Sequence, residues 1–251
     1  MIRFLFCFKY ANVTITDKYK PAFMKVEIWS DVMCPFCYIG KRRFEQALAN
    51  FEHADEVEVE WKSFQLNPEM KTQPDKSVTE HLAEVKGWSL EQADQMNRHV
   101  SDMAAEVGLE YNLDEAVVAN SFQAHRFAHY AKRQGKGNKA EEALFKAYFT
   151  DGKNTDDRAT LIELGDEIGL DVEELKKVLK SDRFTNAVKQ DIMAAKNLGI
   201  NGVPFFLFNR KYAISGAREA EVFTQALSKS WSEWKNDNES VEVKAKSETE
   251  S

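Results

Sequence analysis

An α/β fold, a small sheet interrupted by a large all-helical insertion, follows from three features of the 251-residue sequence. Two β-type runs lie close to the amino end, a long stretch of helical pattern follows, and β-type runs return only near the carboxyl end. A chain of this length buries an ample core without metals or disulfide staples. Its 43% hydrophobic and 30% charged residues are ordinary for a globular protein. No stretch approaches the roughly 18 to 20 apolar residues of a membrane span. The net charge of −7 argues against a nucleic-acid partner, because phosphate binding calls for a concentrated basic face.

Residues 25–30, K-V-E-I-W-S, alternate apolar and charged side chains as a strand does and stop at Ser30-Asp31. After Cys34-Pro35-Phe36-Cys37, the residues Phe44, Leu48 and Phe51 recur at helical spacing. Residues 57–64, V-E-V-E-W-K-S-F, alternate strictly and complete a β-α-β unit. Residues 74–198 read as about six helices. Ser77, Ser89 and Asp157 stand at capping positions, Asp171 with Glu174 resembles a cap with its reciprocal partner, and Gly108, Gly135, Gly152 and Gly169 fall at breaks. Residues 204–208 and 212–215 then read as short strands, and a helix is expected over residues 218–231. This order matches a thioredoxin-like sheet, residues 24–70 and 190–232, interrupted by a helical insertion over 71–189. Residues 233–251, rich in Glu, Ser, Asn and Lys, read as a disordered tail. Residues 1–23 read as an amino-terminal extension or a mis-assigned start before Met24, with no complete signal-peptide pattern.

Cys34 and Cys37 are the chemically suggestive pair, with Cys7 the third cysteine. Two cysteines separated by two residues at the first turn of a helix can close a disulfide with little backbone movement. The unpaired N–H groups and aligned dipoles at that terminus favour a thiolate. Cys34, nearer the terminus, is expected to be the exposed thiolate that attacks a substrate, and Cys37 the thiol that resolves the mixed disulfide. Pro35 suits a first-turn position because its missing N–H has no helical partner to lose. The same C-x-x-C is also half of a zinc site, whose other ligands would have to come from Cys7 or the His125 and His129 pair. That reading has no use for a strand before the motif and an amphipathic helix after it, and no metal is expected. In Gly199-Ile200-Asn201-Gly202-Val203-Pro204, an X-Pro bond directly before an apolar run suggests a fixed turn, with a cis peptide one option. Such a proline beside the dithiol would leave the Val203 backbone free to pair with an extended substrate, although a plain turn proline fits the same spacing.

With W-S-D-V-M-C-P-F-C-Y-I-G-K at residues 29–41 and G-V-P-F-F at 202–206, the chain resembles the DsbA-like thioredoxin family, and within it the FrnE-like dithiol-disulfide isomerase branch. The resemblance covers about residues 24–231. It implies that Pro204 is cis and faces the dithiol, that Val203 touches substrate, and that the helical insertion lies over the active site. Asn120 and His125, in N-S-F-Q-A-H-R, are similar to family residues near the dithiol. Read from the residues alone, Asn120 could merely cap a helix. A charged His125 close to Cys34 would stabilise its thiolate.

Substrate contacts are thus expected from Pro35, Phe36, Val203, Pro204, Asn120 and His125, with Cys34 and Cys37 catalytic. The expected partners are protein or small-molecule disulfides and a cellular thiol reductant or oxidant. No cofactor beyond the dithiol is expected, apart from glutathione as a co-substrate. A glutathione-dependent isomerase or transferase of the 2-hydroxychromene-2-carboxylate isomerase and kappa type is the alternative on the same fold. Those relatives typically carry Ser at the first motif position and lack the second Cys. A non-catalytic module with a structural disulfide is a third reading. The lack of a signal-peptide pattern points to the cytoplasm, where reduction or isomerisation suits a reducing milieu better than bulk oxidation.

Overall fold

In a computed structural model, residues 22–249 are described. Cys7 and most of the expected extension over residues 1–23 lie outside them. Strand β1 (Met24–Ser30) leads into helix α1 (Pro35–Ala49), a single 3-10 turn (Ala54–Glu56) and strand β2 (Val57–Ser63). Helices α2 (Val78–Lys86), α3 (Leu90–Ala105), α4 (Phe122–Arg133), α5 (Gly137–Phe149), α6 (Arg158–Glu167), α7 (Val172–Lys180) and α8 (Thr185–Asn197) follow, one more than expected. Strands β3 (Phe205–Phe208) and β4 (Tyr212–Ser215) and helix α9 (Ala220–Thr249) complete the chain. The sheet order is β2-β1-β3-β4, with β1 parallel to β2 and antiparallel to β3, and β3 antiparallel to β4.

Period-two alternation divides the sheet's two faces. Val26, Ile28, Phe206 and Phe208 meet Phe44 of α1 and Phe223 and Leu227 of α9 on one side. Trp29 and Leu207 meet Ala195 of α8 and Ile200 on the other. Helix α8 is tied down by Asp191: its carbonyl accepts Trp29 Nε1–H at 3.1 Å, and its carboxylate accepts Ser63 N–H at 3.1 Å. An α8 this intimate with the sheet belongs with the sheet layer, so a domain boundary at 189/190 would cut through one helix. The insertion proper is α2 to α7.

The caps follow local chemistry. Ser77 and Ser89 form capping boxes with Glu80 and Gln92, and Asp157 accepts Thr160 N–H at 3.0 Å. Asp171 likewise accepts Glu174 N–H at 3.0 Å, but the Glu174 carboxylate turns to Lys177 and Arg183 and does not reach back to close a box. Between α6 and α7, Gly169 takes φ 73°, a left-handed conformation at the helix end that a side chain would strain.

The carboxyl end departs from expectation. Helix α9 runs to Thr249 where a disordered tail was expected from residue 233. Trp234, 7% exposed, joins the core beside Phe223 and Leu227, and Lys211 reaches Asp237 at 2.6 Å. Glu, Lys and Ala are strong helix formers, so a composition that reads as solvated tail also suits an anchored helix.

The insertion is clamped to α1 and β2 by charge. Glu60 accepts hydrogen bonds from Lys132, from Lys62 at 2.8 Å and from Lys25 at 3.0 Å. Burial raises this carboxyl, but those three ammonium groups outweigh it and hold it down at about 2. Burial likewise raises Glu142, and its bonds from Arg42, Lys41 and Tyr38 bring it to about 2. A carboxyl depressed on folding contributes stability that is present above its unfolded value, near 4.5, and is lost as pH falls toward 2. The loss is about 2 kcal/mol at the well-shielded Glu60 and less at the more exposed Glu142. Urea midpoints should therefore drop steeply between pH 5 and 2.5. Glu60→Gln should flatten that slope, and an unaltered slope would remove the lysine cage as its cause.

Candidate active site

The turn between β1 and α1 is fixed by the main chain. Cys34 N–H donates to Asp31 O at 3.0 Å, and Ser30 O accepts Phe64 N–H at 2.9 Å, which carries the end of β2 alongside. Cys34 is the N-cap of α1 at φ −89° and ψ 110°, with Pro35 at the first helical position, where a missing N–H costs nothing. Cys37 N–H donates to Cys34 O at 2.9 Å, so the two cysteines stand one turn apart at the helix start, and both are free thiols.

Pro204 faces this turn from the sheet. The Val203–Pro204 peptide is cis, and Cys34 Sγ lies 3.5 Å from Val203 O at hydrogen-bonding geometry. Gly40 is what allows the approach: a Cβ there would stand 3.0 Å from Pro204 Cγ and 3.5 Å from Ala217 Cα. Buried Arg43 ties the same helix to the loop after β4, donating to Ala217 O at 2.8 Å and pairing with Glu219 at 2.9 Å.

Cys34 is not the exposed thiol that its place at the terminus suggests. It is 3% exposed, against 1% for Cys37. Both belong to the cluster of the helical insertion, among Val32, Tyr38, Tyr111 and Phe149, with Met33 and Val203 packed alongside. Tyr111, in the loop after α3, donates its hydroxyl to Pro35 O at 2.7 Å and so fastens the insertion to the C-x-x-C turn. The helix terminus supplies orientation, but the insertion supplies a roof that position in sequence does not reveal. Phe36 alone of the motif is exposed. Burial pushes the Cys37 thiol well up, and its hydrogen bond and charge interaction with Cys34 add to that. Ser30 and the Asp31 main chain work the other way.

His125 and Asn120 have different fates. His125, 3% exposed on α4, places Nε2 3.5 Å from Asp31 Oδ1, at the dithiol turn. Burial disfavours its charged form, but the Asp31 hydrogen bond and charge, followed by Glu141, raise it above the ordinary imidazole range. Asn120 is used up on local structure: its Oδ1 accepts from Gln65 and from Phe122 N–H, and its Nδ2 donates to Met70 O and Pro68 O. It ties the segment after β2 to the start of α4. His129 is directed elsewhere, to Asp191 at 3.0 Å, so His125 and His129 serve different carboxylates and do not converge.

Asp31, Tyr111 and Glu141 belong to this neighbourhood without having been singled out from the sequence. Asp31 lies inside the W-S-D-V-M-C motif, where a charge directly after an apolar strand is a visible signal. Glu141 shares a helix face with Leu144, Phe145 and Tyr148, spacings of three, four and seven that place a carboxylate on a buried stripe. Tyr111, in a loop, had no pattern to mark it.

Known proteins share this organisation. Residues 25–228 match the model of the DSBA-like thioredoxin domain. The chain is 30% identical over 206 residues to the uncharacterized protein YwbO of Bacillus subtilis, covering 81% of this chain and 95% of that protein. It is 41% identical, with a TM-score of 0.79, to the crystal structure of the probable DsbA oxidoreductase SCO1869 from Streptomyces coelicolor, covering 84% of this chain and 91% of that one. The cytosolic disulfide reductase DsbM of Pseudomonas aeruginosa, solved with GSH, shares the fold at 18% identity and a TM-score of 0.57, covering 86% and 98%.

Proposed function

Because the chain belongs to the DSBA-like thioredoxin domain family, we propose that it is a thiol-disulfide oxidoreductase or isomerase working through Cys34 and Cys37. The observation that carries the reading is the pair of thiols at the start of α1, with Cys34 Sγ against the Val203 carbonyl. In this reading Cys34, as thiolate, attacks one sulfur of a substrate disulfide. A Cys34–substrate S–S bond forms, and the other substrate sulfur leaves with the electron pair. Cys37 then attacks Cys34, closes the intramolecular disulfide and releases the second substrate thiolate. The high proton affinity of Cys37 suits this order, because the buried thiol stays protonated and unreactive until Cys34 is engaged.

Substrate enters as an extended segment beside Val203 and Pro204, with Phe36 as the exposed apolar contact. Burial of Cys34 means that Tyr111 and its neighbours must give way first, which favours flexible polypeptides or small disulfides over rigid folded ones. Glutathione or another cellular thiol returns the pair to the dithiol, and no other cofactor is required. Among the described residues no helix is long and apolar enough to cross a membrane. We place the protein in the cytoplasm, where the reducing direction is the useful one. The two cysteines together favour dithiol exchange over the glutathione-dependent isomerase or transferase reading, in which a single Ser or Cys would suffice.

A Cys37→Ser variant tests the assignment of roles. Incubated with oxidised glutathione, it should accumulate a mixed disulfide on Cys34, seen by intact mass and located by peptide mapping. Modification found elsewhere, or none, would reverse or remove the roles.

A further inference from the structure

Strand β2 has β1 on one side only, and between its other edge and helices α4 and α5 lies a cavity of about 300 Å³. That is many times the space one water needs, and it falls at the lower end of small-molecule sites. Val59, Trp61 and Ala128 give the cavity apolar wall. Its charged wall is matched almost throughout. Glu60 is held by Lys132 and by Lys62 at 2.8 Å, Glu58 by Lys25 at 4.0 Å, and His129 by Asp191 at 3.0 Å. Glu141 of α5 is the exception. It borders the cavity at 6% exposure, and no described residue hydrogen-bonds or ion-pairs with its carboxylate.

The unmatched group is an acid, so the partner it lacks is a donor, and a positively charged donor satisfies it best. A buried carboxylate left without one is costly. A metal ion would need several such ligands, and among the described residues no group of three or more His, Cys, Asp or Glu could hold one. An anion would meet lysines that Glu60 already occupies. A primary ammonium needs acceptors for three N–H groups, and the open edge of β2 supplies them beside Glu141. Ser63 N–H turns outward to the Asp191 carboxylate, and Trp61 O turns outward to Lys132 Nζ at 3.5 Å. Odd-numbered residues of β2 therefore present their main chain on this edge, which puts Val59 O in the same row. We propose that the cavity is a binding site for a small organic cation, a primary ammonium on a short alkyl body, with Glu141 as its counter-ion and Val59 and Trp61 against the alkyl part.

This site is separate from the exchange chemistry and does not rest on the dithiol reading. Cys34, Cys37, Val203 and Pro204 do not border the cavity. Its rim is the turn between α4 and α5, with Gly135, Gly137 and the exposed Asn138. Asn138 Oδ1 accepts Trp61 Nε1–H at 3.1 Å, which fixes the indole as one wall and makes its N–H a reporter of what enters. Selectivity follows from the single unmatched carboxylate: a neutral molecule of the same shape leaves Glu141 without a counter-charge, and an anionic one faces it directly.

Titration of the full chain with n-butylammonium, followed by the ¹H–¹⁵N shift of the Trp61 indole, tests the site, with 1-butanol and butyrate as neutral and anionic probes of the same length. Butylammonium should move the Trp61 signal saturably, and butanol and butyrate should bind at least tenfold more weakly. Glu141→Gln should weaken butylammonium about tenfold or more and bring it level with butanol, while Cys34→Ser should bind it as wild type does. No saturable shift with butylammonium, butanol binding as tightly, or an unaltered affinity in Glu141→Gln would each overturn the proposal, and none of these results bears on the dithiol. Should Glu141→Gln fail to fold, nuclear Overhauser contacts in wild type decide: cross-peaks between the butylammonium methylenes and the Trp61 ring are expected, and their absence at saturating probe would overturn the site.

Discussion

Replacing Cys34 with serine is expected to abolish disulfide exchange, with a fall on the order of a thousandfold or more, as when an enzyme loses its nucleophile. A hydroxyl is a far weaker nucleophile than a thiolate at neutral pH and forms no disulfide, so no slower version of the same route survives. The fold should not suffer. Cys34 is the N-cap of α1 without using its side chain as a cap, and Ser is a favoured residue there. Unchanged thermal stability with lost insulin reduction would separate chemistry from folding. Retained activity in this variant would move the reaction away from the C-x-x-C pair altogether.

Phe44→Ala should give the largest loss of stability, about 3 to 5 kcal/mol. Phe44 is 1% exposed, and its ring meets Phe206 at 5.6 Å, Phe208 at 6.3 Å and Phe223 at 5.8 Å between centroids. It is the side chain through which α1, whose first turn carries the cysteines, is seated on the sheet and on α9. Removing it leaves a cavity between three elements, which edge-to-face aromatic packing cannot close by small shifts. At about 2 to 4 °C per kcal/mol for a chain of this size, the melting temperature should fall by roughly 6 to 20 °C. A loss below about 1 kcal/mol in urea unfolding would mean that α1 is held chiefly by its charged contacts with the insertion.

The order of strands and helices was legible because period-two and period-3.6 patterns reflect burial directly, and each strand here has one or both faces against a helix. Ser77, Ser89, Asp157 and Asp171 announced four helix starts for the same reason: a short polar side chain beside an amphipathic run has a local job. The tail was not legible. Trp234 alone distinguishes an anchored helix from a solvated segment, and one aromatic residue is a weak periodic signal. The site was half legible. Cys34, Cys37 and the Val203-Pro204 turn lie in local motifs, and His125 lay in a segment with a family likeness. The burial of Cys34 under the insertion, the Tyr111 bond to Pro35, and the meeting of Asp31 with His125 are contacts between segments far apart in sequence. Spacing carries no record of them.

The reading of Cys34 and Cys37 as a redox couple is tested most directly by equilibrating the protein with glutathione buffers of graded potential and counting free thiols by alkylation and intact mass. A single two-electron transition between a dithiol and a Cys34–Cys37 disulfide, absent in Cys34→Ser, is the expected result. Two cysteines that stay reduced across the whole range, or that pair only with other molecules and never with each other, would contradict it.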